Sequence, residues 1–597
     1  MNSFTKPTAS NSPNIDRRSF FRHVAGAAAA TLAAPAILRT ASAETPSTDP
    51  LVINSRYQRM FANLKPATFD QADLKRLALG DGKNLVGMTA EPELLVDAIG
   101  KPSLDAKGAP ILTATPENEY DDEENFGVPA GYTYFGQFID HDLSFSSNSS
   151  LSDTTSATEQ LNLRSARFDL DSVYGRGPAD QPYLYAANGR HLVVGRKLHH
   201  PGQHFAREDL ARLNGRALIG DKRNDENVIV SQLHASIIAY HNCMVDEMPN
   251  ASLEEVQQKV RHHYQWVVLT DFLPRICGKQ TCEDVLSGFG EVGRTGNWRA
   301  NRRFTAQLVP GAIPLEFSDA AYRFGHSMIR PIYRLNTHMR GTALERKENP
   351  AAAGRRFIFA ASSQSGLNGF RELPAEWAID WKLFFEIENQ LTYEQVRLGR
   401  NRVQAAYKFD TSLVNPLAFL PEFSTPTKGA ELARDPNGHP QQAAGQISNL
   451  ALRNLMRCAQ HAHPSGQDVA TALGIEPIAD VDLKIGKATL NSIGKNPTIT
   501  DFGDSFRGKA PLWTYILAEA QHEWTKKVLA SNGSEEERLS IPSTLGPVGG
   551  RLVAETFVTL MLNDPQSILN QGANWQPSNT NKGRFTMADM LQTAMVA

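Results

Sequence analysis

The chain has 597 residues, 41% of them hydrophobic and 21% charged, an ordinary globular composition that excludes a disordered or fibrous chain and leaves ample length for a large core. A net charge of −3 gives no electrostatic reason to expect nucleic acid or an anionic membrane as the main partner, which favours small-molecule chemistry. Four cysteines, Cys243, Cys277, Cys282 and Cys458, make neither a disulfide framework nor a metal finger in so long a chain. An oxidising compartment would permit a Cys277–Cys282 bridge; a mixture of buried thiols and at most one bridge is the simpler expectation.

In chain order, residues 1–43 come first. "DRRSFFRHVAGAAAATLAAPAILRTASA" joins Arg17 and Arg18 to a weakly apolar, alanine-rich run and a small-x-small end. This pattern predicts a twin-arginine export signal cleaved after Ala43, and hence a periplasmic or secreted protein. The run falls short of the roughly 20 apolar residues a membrane span needs, and no later segment is expected to span either. Residues 44–120, rich in proline and polar residues, are expected to form an arm around a body spanning 121–597. From about residue 125 helical periodicity dominates, in "NVIVSQLHASIIAYHNCMVDEM", "EEVQQKVRHHYQWVVLTDFLP", "WKLFFEIENQ", "PLWTYILAEAQHEWTKKVL" and "GRLVAETFVTLML". Candidate strands are few and short. The expected fold is a single large, mainly α domain with long loops and very little β.

Five stretches carry chemistry. In "GQFIDHDLSF", Gly136 to Phe145, helical geometry puts Gln137 and His141 about 40° apart and Asp140 on the flank of that face, while Asp142 points about 100° from His141. Alone, such a turn is more often a solvated polar face. In "SARFDLDSVYG", oxygen donors alternate: Ser165, the Arg167 carbonyl, Asp169 and Asp171. With Asp142 added, this set suits calcium, which takes 6–8 oxygens. "GDKRNDEN" opens a helix, with Arg223 and Glu226 on one face and Asp225 or Asn224 as caps. "AAYRFGHSMIRPIYRL" sets His326 among apolar and aromatic residues, with Arg323 one turn earlier, and "LALRNLMR" supplies Asn454 and Arg457. Each of these alone fits a capping cluster, a core histidine or a polar helix flank.

Together and in this order, "GQFIDHD", "FDLDSVYG", "GDKRNDEN", "YRFGH" and "RNLMR", with the later "GPVGGRLVAETFV" and "FTMADML", resemble the animal-type haem peroxidases of the peroxidase–cyclooxygenase superfamily, here in a bacterial version. The resemblance covers about residues 120–597 and implies a peroxidase with haem b and calcium as cofactors. It implies His141 as the distal histidine, Arg223 as the distal arginine and Gln137 as a hydrogen-bonding residue of the same pocket. His326 would be the axial iron ligand, with the Asn454 side chain accepting from its other ring nitrogen and Arg323 and Arg457 at the haem. Asp142, Ser165, Arg167, Asp169 and Asp171 would hold calcium. Asp140 and Glu226 match the two carboxylates that form ester bonds to haem in mammalian members.

The departures are informative. Asn227 stands where myeloperoxidase has a sulfur-linked methionine, which removes a sulfonium bond and makes strong chloride oxidation doubtful. Where cyclooxygenases and fatty-acid dioxygenases carry a radical tyrosine, this chain has Arg323, with Tyr322 next to it; that favours a peroxidase over a lipid dioxygenase. Arg167 replaces an aromatic residue usual in mammalian peroxidases, at a place where only the backbone is needed. The expected substrates are hydrogen peroxide and small electron donors such as iodide, bromide, thiocyanate or phenols. The alternatives are a fatty-acid dioxygenase and an adhesion protein on a peroxidase scaffold, the latter opposed by the intact set His141, Arg223 and His326.

Overall fold

The computed structural model describes residues 55–90, 122–145, 161–199, 201–288, 299–339, 354–362, 366–427, 431–435, 439–571, 575–577 and 584–596. The export signal lies outside the described residues, as does the stretch 91–120 of the expected arm. Residues Ile53–Ala597 form one unit. The architecture is mainly helical. Its long helices are α1 (Gln71–Leu79), α2 (Gly131–Leu143), α3 (Val228–Glu247), α4 (Leu253–Val267), α5 (Leu450–Gln460), α6 (Leu512–Ala530), α7 (Pro547–Asn563) and α8 (Met587–Val596). The strands are short: β1 (Ser55–Gln58) pairs antiparallel with β3 (Leu161–Asn162) and parallel with β4 (Ala312–Pro314), while β2 (Glu124–Pro129) pairs antiparallel with β5 (Ala405–Tyr407).

Helix α3 is the axis of the core. Asn227 caps it, its side chain accepting from the amides of Ile229 and Val230 at 3.1 and 3.0 Å, which supplies two of the donors a helix start leaves unpaired. It packs against α2, α4 and α8. It is also, among the described residues, the helix long and apolar enough to cross a membrane, which corrects the expectation that no segment after the signal reaches that length; 83% of the apolar window is buried inside the protein. A helix that is apolar all round can be a core helix as readily as a span.

Helix α2 enters from β2 through a backbone crossing that only glycine permits: a Cβ on Gly131 would stand 2.3 Å from the ring of Phe385. Below that entry the buried Glu124 carboxylate accepts from Arg330 at 2.8 Å and from two nitrogens of Arg402 at 2.8 and 2.9 Å, an ion triad that fixes the start of β2.

One expectation fails. "WKLFFEIENQ" is not a helix but a 3₁₀ turn at Trp381–Leu383. Trp381, Leu383, Phe384 and Phe385 are all buried, three of them in succession, so the first half of the run shows no helical alternation of buried and exposed faces. The carbonyls of Leu383 and Phe384 bond the amides of Gln404 and Gly131, so neither serves an i+4 partner. All four cysteines are buried free thiols, in line with the expectation, and Cys277 and Cys282 are not bridged.

Candidate active site around helix α2

Helix α2 sends its polar side chains in two directions. On one side His141, 4% exposed, is held by a hydrogen bond of 2.8 Å between Nδ1 and the Asn224 Oδ1, and its Nε2 lies 3.8 Å from Glu226 Oε1. Burial, aided by the neighbouring charge of Arg223, pushes the imidazole down to about 4, so it is neutral. Gln137 Nε2 donates to Glu226 in a short contact, and Gln137 Oε1 accepts from Asn227 Nδ2 at 3.1 Å. Glu226 keeps 31% of its side chain accessible, yet burial pushes its carboxyl up to about 8.

Glu226 is placed by its backbone. Its carbonyl accepts from Gly369, and that of Asp225 from Phe370 at 2.7 Å; a Cβ on Gly369 would stand 1.7 Å from the Asp225 carbonyl, so the crossing requires glycine. Neither Asp225 nor Asn224 caps the helix that "GDKRNDEN" opens, contrary to the sequence expectation. Residues Lys222–Asp225 form a separate 3₁₀ turn capped by Asp221, and Asp225 is taken by Arg212 through two bonds of 2.7 Å.

Arg223 sits beside His141 but is engaged. Its Nε and Nη2 bond Asp221, Nη2 also bonds the carbonyls of Ser144 at 2.6 Å and His141 at 3.3 Å, and the guanidinium lies 4.6 Å over the ring of Phe145. Burial pulls its pKa down, but the Asp221 carboxylate outweighs that and keeps it charged. Asp140 accepts from Ser144 Oγ at 3.0 Å and pairs with Arg323 Nη1 at 3.3 Å. Burial pushes its carboxyl up, but Arg323 and Arg223 outweigh it and hold it below the usual range.

Asp142, fully buried, turns the other way and accepts from the Leu170 amide at 3.2 Å and Ser172 Oγ at 3.5 Å. Its ligand oxygen lies within 4.8 Å of those of Asp169 and Asp171. Ser165 Oγ accepts from the Arg167 amide at 3.2 Å, and Ala166 and Leu170 adopt left-handed φ of 53° and 58°, an uncommon backbone for residues with a Cβ. Burial, then mutual repulsion, pushes Asp142 well up and Asp171 up to about 7; burial also raises Asp169. Arg164 bonds Asp171 at 3.1 Å and Arg261 lies beside Asp169, yet all three carboxyls stay raised.

His326 closes a 3₁₀ segment, Ala321–His326, rather than lying in an α-helix; at three residues per turn Arg323 stands over it. Tyr322 Oη donates to the Gly136 carbonyl at 3.2 Å and Arg323 reaches Asp140, so this turn is bolted to α2. Burial, with Arg323, pushes the imidazole down to about 3, leaving it neutral. Asn454 on α5 meets His326 Nδ1 at 2.8 Å with its amide nitrogen. The expected contact is therefore made with the opposite end of the amide: a ring that donates from Nδ1 needs the amide turned over, an exchange of two nearly isosteric atoms. Arg457, one turn on, is half-buried near Arg323 and Asp319.

Sequence reasoning missed three groups. Asn224 fits a helix cap by its position, and His234 lies unmarked within the long helical run that becomes α3. The third is Asp319, seven residues before His326, whose Oδ2 accepts from His461 Nδ1 at 2.6 Å and His463 Nε2 at 2.9 Å, all three buried. The "HAH" spacing after "RNLMRCAQ" is the signal that could have flagged it. This trio has the donor set of a divalent-metal site. However, His463 Nδ1 is buried without a hydrogen-bond partner, whereas a ligating imidazole would donate from it. A hydrogen-bonded hub holding the segment ahead of His326 accounts for it better.

A family model described as animal haem peroxidase matches residues 148–403, under half of the chain, spanning Ser165, Arg223, Glu226 and His326. A peroxidase-like protein of Margaritifera margaritifera is 30% identical over 122 residues, 19% of this chain, and a probable oxidoreductase PXDNL of Homo sapiens is 26% identical over 211 residues, 31% of this chain. The chain spans 14% and 13% of those two relatives. Among solved structures, peroxidase A from Dictyostelium discoideum covers 87% of this chain, and 96% of its own, at 14% identity and a TM-score of 0.45. A fatty acid alpha-dioxygenase of Oryza sativa covers 90% of this chain, and 85% of its own, at 15% identity and a TM-score of 0.43.

Proposed function

We propose that this chain is a haem peroxidase of the animal type, reducing hydrogen peroxide and oxidising small donors such as iodide, bromide, thiocyanate or phenols. One observation carries the reading: two neutral imidazoles, His141 and His326, on two elements bolted together by the Arg323–Asp140 ion pair. The family match over residues 148–403 supports it.

The residues fit a haem. His326, neutral and half-buried, suits an iron ligand through Nε2, and Asn454 would accept from its Nδ1–H once the amide is turned. Asp140 and Glu226 would meet the haem rim, with Arg323 and Arg457 beside it, and the ester links are part of this proposal. Bound haem supplies the redox electrons for splitting peroxide. His141 takes a proton at Nε2 from one peroxide oxygen and returns it to the other, which a neutral imidazole does near neutral pH. Arg223, kept charged by Asp221, stabilises the negative charge that grows on the departing oxygen. Gln137 holds Glu226. Calcium bound by Asp142, Asp169, Asp171, Ser165 and the Arg167 carbonyl would neutralise the crowded carboxylates and pin α2.

A fatty-acid dioxygenase would need a radical tyrosine near His326. Tyr322 instead has its hydroxyl committed to Gly136 and its ring stacked 4.8 Å from Phe317. We also propose export by the twin-arginine route in a bacterial cell. The testing experiment is a steady-state survey of halides, thiocyanate and phenols with peroxide, run beside linoleate with oxygen. Donor oxidation without lipid hydroperoxide is expected; hydroperoxide formation without donor oxidation contradicts the reading.

A further inference from the structure

Behind His141 runs a buried chain of three side chains from three elements. His141 Nδ1 meets Asn224 Oδ1 at 2.8 Å, and Asn224 Nδ2 meets His234 Nδ1 at 3.0 Å. Asn224 and His234 are completely buried. The Asn224 backbone is pinned in its 3₁₀ turn by a 3.1 Å bond to the Asp221 carbonyl, and the His234 ring packs edge-on against Phe138, 5.9 Å away.

A carboxamide has one acceptor end and one donor end. With Nδ2 donating to a lone pair on His234, Oδ1 is left for His141 and accepts a proton only if that proton sits on His141 Nδ1. The lone pair of His141 is then on Nε2, on the side of Glu226, whose Oε1 lies 3.8 Å away. Burial pushes His234 down to about 3, so it is a neutral ring with a lone pair to offer. Turned over, the amide would place the proton of His141 on Nε2, and the base would be switched off. In this arrangement the His234 proton sits on Nε2, which is buried with no hydrogen-bond partner, so the chain ends there on an unpaired N–H.

We propose that Asn224, itself oriented by His234, is a positioning residue that holds His141 in the Nδ1–H tautomer with Nε2 free to take a proton from the substrate. This deepens the peroxidase reading and rests on it. An isolated imidazole divides itself between two tautomers, and the asparagine removes the inactive one before substrate arrives.

The test has a structural and a kinetic arm. In the full-length chain labelled with [15N]histidine and loaded with diamagnetic zinc protoporphyrin, two-bond 15N–1H spectra, with His141 assigned through His141→Gln, should show Nδ1 protonated and Nε2 bare. Asn224→Asp, which can accept from both rings, should keep that pattern; Asn224→Leu should lose it. In the haem-loaded enzyme Asn224→Leu should lose at least about tenfold in the rate constant for hydrogen peroxide, with the Soret band and the donor KM unchanged. Asn224→Asp should stay within about threefold. A proton on His141 Nε2 in the parent chain, or an Asn224→Leu variant as fast as the parent, overturns the proposal. Should Asn224→Leu not fold, the parent and Asn224→Asp spectra decide it. A parent chain that binds no porphyrin removes the peroxidase reading instead, and the tautomer measured on that chain still decides the role of Asn224.

Discussion

Asp140 and Asp142 flank one histidine on one helix and live in opposite electrostatic worlds. Both are buried, so desolvation pushes both carboxyls up. At Asp140 the cations Arg323 and Arg223 reverse that push, whereas at Asp142 the carboxylates of Asp169 and Asp171 add to it. One side of α2 brings its own positive charge in arginines; the other is built as though the charge were to come from outside. The difference teaches that burial alone does not assign a role to a carboxylate, and that the sign of its neighbours does.

The largest effect that would test this division falls on the arginine side. His141→Ala should lower the rate constant for peroxide by about 10²–10⁴, the range of a positioned general base, with the haem spectrum kept, as stopped-flow mixing would measure. Next, calcium at a hundredfold over its Kd should stabilise the chain by about 3 kcal/mol, read as a rise in Tm, and a chelator should reverse it. Third, the effect of Asp142→Asn should change sign with the metal. It destabilises the calcium-loaded protein by removing a ligand, and it stabilises or leaves unchanged the calcium-free protein by replacing a buried carboxyl crowded by Asp169 and Asp171 with a neutral amide. Melting curves with calcium and with chelator decide this.

The pH dependence of the calcium-free chain follows from the same repulsion. Asp171 is raised to about 7 from an unfolded 3.8, so the folded state holds a proton that the unfolded state has already lost. Stability from this group is full below about pH 4 and declines as pH rises towards 7; saturating calcium should flatten that decline in urea titrations. The smallest effect is expected at Asp140→Asn, where Arg323, itself partly solvated, loses a charged partner at a cost of about 1 kcal/mol, by the same melting assay.

The angular sorting of α2 was legible because helical geometry fixes directions before any packing is known. "WKLFFEIENQ" misled for the converse reason: residues buried in succession satisfy no period, and the bonds that decide its shape come from Gly131 and Gln404, far away in sequence. Asn224 looked like a cap because asparagine near a helix start usually is one. Its actual work depends on two histidines on other elements. Asp319 escaped notice because its two histidines lie some 140 positions later. The end of the Asn454 amide that meets His326 is a matter of rotation, which no spacing encodes.

The most direct test of the central claim is haem titration of the full-length chain beside His326→Ala, followed by the Soret band and by thermal unfolding. The account predicts stoichiometric binding with a sharp Soret band in the parent, and its loss in the variant with the melting curve otherwise retained. Haem bound equally by His326→Ala, or no haem bound by the parent chain, would contradict it.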